Sequence, residues 1–282
     1  MVLAVSLTTQ SYKSRSGSEL WNGPDSNSAL ALIVVDVFRF DLSYALRTGK
    51  PPQFFIDPIS WSPIFDLPSP ISSGSGSNID ANDQSSSPSN LSNSFFLHEP
   101  KLSVVFQDLL SFTVLLNAPS SDSSRYTPRL QDTQYQNYIC SIQYRLLRLQ
   151  DQLISILDES TRLAMLALLT TTFQVAGQRA KYPHLERRFR EFCRATGAGT
   201  PPEVTLWLLV VGTMSVFRID GEDTEWMAES WRARIPAGWD WDDAHKRLRG
   251  FPWIGVLHDE AGRVAFEALC RKAHDSGGTS PS

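Results

Sequence analysis

The chain has 282 residues, 41% of them hydrophobic and 11% aromatic, and a formal net charge of −4. That is enough apolar surface for a sizeable core in one large domain or two small ones, and too acidic a balance for a surface built to neutralise phosphates. Three widely spaced cysteines, Cys140, Cys193 and Cys270, exclude a disulfide framework and read as buried thiols in a reducing compartment.

Residues 1–28 are polar and rich in Ser, Thr and Gly, which predicts a disordered N-terminus. Met1 to Ser6 lacks the basic start of a signal peptide, so a soluble intracellular protein is expected. Ala29 to Thr48 then places Leu32, Val35, Phe38, Leu42 and Leu46 near helical spacing. Gly49-Lys50-Pro51-Pro52 stops that helix, although Ile33-Val34-Val35 keeps a strand open there. Pro68 to Ser94 contains 11 serines in 27 residues and reads as a disordered insertion, with Ser69-Pro70 and Ser87-Pro88 as turns or phosphorylation sites.

Lys101 to Leu116 is helical, and a polar loop over 117–128 follows. Gln134 to Asp158 reads as one long amphipathic helix with Tyr138, Ile142, Arg145, Leu149, Leu153 and Ile156 near one face. Thr161 to Ala176 carries few polar positions and is expected to be buried on most sides. Pro183 opens the next helix, striped by Leu185, Phe189, Phe192 and Cys193 and ended by Gly197-Ala198-Gly199. Thr200-Pro201-Pro202-Glu203 has capping-box spacing and leads into Leu206 to Phe217, an apolar run of 12 residues that suits a core helix and is too short to span a bilayer. Thr224 to Arg234, Asp240 to Arg249 and Asp259 to Ala273, the last carrying Val264, Leu269 and Cys270, complete the body, before a tail over 274–282 expected to be disordered. The expected fold is all-α: an irregular multi-helix bundle over 29–273, interrupted by the serine-rich insertion.

Motifs for chemistry are sparse. Gly212-Thr213-Met214-Ser215 lies inside the core helix and lacks the sharp turn of a nucleophile elbow, and no phosphate-binding glycine loop occurs. Asp242 and His245 could share a metal at their spacing, but an isolated pair more often marks a solvated face. The acids Asp220, Glu222, Asp223 and Glu225 read as helix N-terminal charges rather than a calcium loop. Arg187, Arg188, Arg190 and Arg194, interleaved with Glu186 and Glu191, read as a solvent face with intrahelical pairs. No catalytic residue, cofactor or metal is expected, and the chain is read as a non-enzyme. Six of the eight tryptophans fall between Trp207 and Trp253. Trp207 and Trp253 are expected as core anchors, while Trp226, Trp231, Trp239, Trp241 and Trp253 are the residues that would line a partner or ligand surface if one exists there.

The order of these C-terminal pieces resembles the regulatory domain of fungal zinc-cluster transcription factors. The strings that carry the resemblance are Glu159-Ser160-Thr161-Arg162-Leu163-Ala164, the helix at Leu206-Trp207-Leu208-Leu209-Val210-Val211-Gly212, Trp226 after an acidic turn, and Leu248-x-x-Phe251-Pro252-Trp253 before His258-Asp259-Glu260-Ala261-Gly262. Asp41 to Phe54 looks like an earlier piece of the same domain. The resemblance implies an all-helical domain that receives regulatory input, protein partners from the transcription machinery or self-association, and a nuclear rather than cytoplasmic location. Three cysteines cannot form the six-thiolate cluster of that family, so the chain itself is not expected to bind DNA. A helical enzyme or small-molecule binder using the Trp-rich region is the alternative.

Overall fold

A computed structural model describes residues 26–54, 59–65, 97–118, 132–172 and 181–275. Among these residues there are nine helices and no strand, so the fold is all-α. They are α1 Ser26–Thr48, α2 Pro100–Asn117, α3 Asp132–Arg148, α4 Ile156–Thr171, α5 Pro183–Ala195, α6 Pro202–Ser215, α7 Thr224–Arg234, α8 Trp241–Leu248 and α9 Gly255–Asp275. The expectations for Pro68 to Ser94 and for most of 117–128 fall outside the described residues.

The pair α4 and α6 forms the centre. Every residue from Asp158 to Thr170 and from Val204 to Ser215 is buried. A helix that is apolar all round has no face for water and must be enclosed by neighbours. In one wing, α3 and α5 pack on α4, α1 packs on α3 and α5, and α2 packs on α3 and α4; the other wing, α7, α8 and α9, packs against α6. The wings are joined where Asn117 at the end of α2 donates to the Trp253 carbonyl (2.6 Å) and accepts from the Gly255 N–H (2.8 Å).

Four expectations need correcting. The stretch Gln134 to Asp158 is two helices: α3 ends at Arg148, Asp151 takes φ 58°, and Ser155 caps α4 by accepting from the Asp158 N–H. Aspartate is one of the few side chains that visits this left-handed region readily. Because the chain turns there, Ile156 is 45% exposed instead of continuing the buried stripe. Thr200 does not cap α6; Pro201 holds that position without a side-chain bond, and Glu203 pairs with Arg247 at 3.2 Å. Residues 26–28 at one end and His274 and Asp275 at the other are helical rather than disordered. Val264 lies 57% exposed, on a different face of α9 from the buried Leu269.

The non-helical segments are held by buried aspartates. Asp41 accepts from the backbone N–H groups of Gln53 (2.8 Å) and Phe54 (3.0 Å) and from the Tyr144 hydroxyl. Asp108 accepts from the Ile64 and Phe65 N–H groups and from Arg145, which also donates to the Ser62 carbonyl. Asp158 accepts from the N–H groups of His98 and Glu99, and Asp223 from that of Arg218. Each carboxylate is compensated for burial by charge-assisted bonds to backbone that has no helical partner.

Candidate functional site

The tryptophans lie mainly inside. Trp207 is fully buried, stacked on Phe251 at 5.3 Å with its indole N–H toward the Pro252 carbonyl. Trp253 is 1% exposed and donates to Asp259 at 2.7 Å. Gly262 of α9 must be a glycine beside it, since a Cβ there would stand 2.6 Å from the Trp253 ring. Trp226 is buried edge-on to Phe217 and donates to Asp223; Trp231 is buried edge-on to Phe266. Trp253, Trp226 and Trp231 are therefore core residues and do not form an exposed surface. Trp239, beneath the Arg247 guanidinium at 4.1 Å, and Trp241, stacked on His245, are partly exposed and do not converge on a shared cavity.

The arginine cluster on α5 is committed elsewhere. Arg190 donates to the buried Asp223 and pairs with Glu186 and Glu222. Arg188 reaches Asp151 and Glu159, and Arg194 lies over Trp226. The intrahelical pair with Glu186 was legible in the sequence, but most partners come from other elements. Asp223 stands at the N-cap of α7, as expected, but makes no side-chain cap bond there: it is fully buried, and its bonds to Arg190, Trp226 and Arg218 outweigh burial and hold its pKa below the usual carboxylate range. His245 bonds Asp259 at 3.0 Å, on α9, rather than joining Asp242. Among the described residues no group of three His, Cys, Asp or Glu side chains could hold a metal.

His258 is the one buried histidine among the described residues. Its Nδ1 accepts from the Ile254 N–H at 3.0 Å, and its Nε2–H faces the Thr171 hydroxyl at 2.9 Å, which itself donates to the Leu168 carbonyl. The network fixes a neutral imidazole, and burial lowers the pKa to about 4. A depressed histidine stabilises the fold above its unfolded pKa and loses that contribution as pH falls through the folded value. Stability is therefore expected to drop by about 3 kcal/mol between pH ~6.5 and pH ~4 from this group. Urea midpoints across that range check it, and His258→Gln should flatten the slope. The thiols are held protonated by burial, Cys140 at about 11 and Cys193 at about 12, which leaves them unreactive at neutral pH.

A groove of about 680 Å³ runs between the end of α6, the Phe217–Asp220 turn and the outer face of α9. Its floor is Met214, Phe217 and Ile219, and its α9 wall is the stripe Leu257, Ala261, Val264 and Ala268. The spacing of four, three and four is a helical seam turned toward solvent, with Leu257 44% and Val264 57% exposed. The rim is of mixed sign. Lys272 pairs with Asp220 across the groove end at 3.1 Å, and Arg263 sits between Glu260 and Glu267.

No protein-family model, curated protein or solved structure matches the chain. No helix among the described residues is long and apolar enough to cross a membrane. The groove is therefore read from its own geometry. It was missed in the sequence because Val264 and Leu269 look equivalent until the buried face of α9 is known.

Proposed function

We propose that the chain is a helical protein-interaction domain of the transcription-regulatory type, which takes an amphipathic helix of a partner protein into the groove between α6 and α9. The observation that carries this reading is the solvent-facing seam of α9. From Leu257 to Ala268 it runs about 16 Å, or three helical turns, alongside an apolar floor that contains a methionine. A seam of that spacing accepts side chains projecting from one face of a second helix. The mixed-sign rim suits a partner segment without strong net charge.

The regulatory part of the reading, and a nuclear location with it, rests on the resemblance to zinc-cluster regulatory domains. The strings that carry that resemblance are core strings, from the buried Glu159–Arg162 pair through α6 to Trp253. Direct contact with DNA is not part of the proposal: Arg188 and Arg190 are occupied by carboxylates, which withdraws them from any phosphate-binding patch.

The test is a selection of helical peptides, displayed on phage, against the intact chain. Enriched peptides should carry apolar residues at i, i+4 and i+7, and Val264→Asp should weaken them by about tenfold or more. The same change should leave the melting temperature nearly unmoved, as for an exposed position. No enrichment, or equal binding to Val264→Asp, would count against the groove.

A further inference from the structure

α1 carries two apolar faces. One, with Leu42, Ala45 and Leu46, is buried where the helix packs on α3 and α5. The other, Val37, Phe40 and Tyr44, lies roughly 140° around the helix and is exposed, Phe40 by 78%. The spacing of three and four is that of a coiled-coil seam, and the sequence of α1 continues it backward through Ile33 and Leu30. The five positions span about 21 Å of helix. A hole for a knob from a second helix is already shaped on this face, since a knob inserts among four residues of the helix it meets. Phe40, Ser43, Tyr44 and Arg47 stand at i, i+3, i+4 and i+7 and line, with Arg39, one open hollow of about 430 Å³.

The order of side chains along the seam points to what fills it. Its N-terminal half is aliphatic, Leu30, Ile33 and Val37, and its C-terminal half is aromatic, Phe40 and Tyr44, before Arg47. An antiparallel α1 from a second copy sets Val37 against Phe40 and Ile33 against Tyr44 on both sides of a two-fold axis, so a small side chain meets a large one in these layers. Position 33 of the second copy then faces the hollow at 40–47. A parallel pair would instead place Phe40 on Phe40, Tyr44 on Tyr44 and Arg47 beside Arg47. In the antiparallel pair the two Arg47 positions are about 26 Å apart along the axis, well beyond a Debye length of ~8 Å.

We propose that the chain forms a two-fold dimer by antiparallel pairing of α1 with α1 of a second copy. The proposal does not rest on the groove between α6 and α9.

The test is sedimentation velocity of the intact chain over a concentration series. The seam is short, so a monomer–dimer equilibrium with a Kd of about 10 µM is expected. Phe40→Asp should raise that constant about tenfold or more, while the melting curve of the dilute monomer stays unchanged, as for an exposed position. Val37→Lys should act in the same way and serves if Phe40→Asp does not fold. Val264→Asp should leave the dimer intact, which separates this face from the groove. Orientation is read by mild oxidation: copies with Ile33→Cys mixed with copies with Tyr44→Cys should link to each other, and neither to its own kind, because like positions lie roughly 16 Å apart along the axis. A chain that stays monomeric, a dimer indifferent to both Phe40→Asp and Val37→Lys, or an Ile33→Cys chain that links to itself would each overturn the proposal. A monomer that instead sediments with phosphatidylcholine vesicles and loses them on Phe40→Asp would also overturn it and assign the seam to a lipid surface.

Discussion

Replacing Asp108 by alanine is expected to lower the unfolding free energy by about 3–5 kcal/mol. The Arg145 and Asp108 side chains are only 3% and 2% exposed, so removing the carboxylate leaves a guanidinium with no route to water. The Arg145 Nε is already without a partner. The loss extends further, because Asp108 also accepts from the Ile64 and Phe65 N–H groups, which become unsatisfied where Phe65 packs on Phe112 and Tyr138. The double change Asp108→Leu with Arg145→Met should cost much less than Asp108→Ala alone, since two apolar groups can replace a buried pair. Urea unfolding of the two variants and of the unaltered chain measures the difference. Equal losses would mean that the pair itself, not the orphaned charge, supplies the stability.

Trp207→Ala is the second large effect, about 3–5 kcal/mol. The ring is fully buried, stacked on Phe251 and edge-on to Phe106 at 6.4 Å, so it touches α2 and the α8–α9 connection from the middle of α6. Because α6 lies between the two wings, tryptophan fluorescence and helical circular dichroism should report one coincident transition in the unaltered chain. Trp239→Ala, at a partly exposed ring under Arg247, should cost under about 1 kcal/mol by comparison. A small effect of Trp207→Ala would show that α6 is less tightly enclosed than its burial indicates.

The helices were legible wherever a stripe met a stop: α6 from its unbroken apolar run, α5 from Pro183 and its Leu-Phe spacing, and α1 from the stop at Gly49, which takes φ 74°. Arg145 stood out on an apolar face of α3, and Asp108 interrupts the apolar run of α2. Their pairing was not legible, because the partners lie 37 positions apart and the backbone they hold lies 44 positions from Asp108. The break at 149–155 was missed because Leu149, Leu153 and Ile156 keep helical spacing across it, and only Asp151 in the left-handed region marks the turn. The groove depends on which face of a helix is covered. Periodicity within one helix does not supply that information: Leu257, Ala261, Val264 and Ala268 form as regular a stripe as the buried one.

Photo-crosslinking in the native cell, with p-benzoylphenylalanine at position 264, tests the groove most directly. The account predicts an adduct to a second protein, mapped by peptide sequencing to a segment with apolar residues at helical spacing. A synthetic peptide of that segment should bind the intact chain and lose about tenfold or more in affinity on Leu257→Asp, with the melting temperature unchanged. A cross-link only to another copy of this chain, a mapped segment without helical apolar spacing, or a peptide whose affinity ignores Leu257→Asp would contradict it.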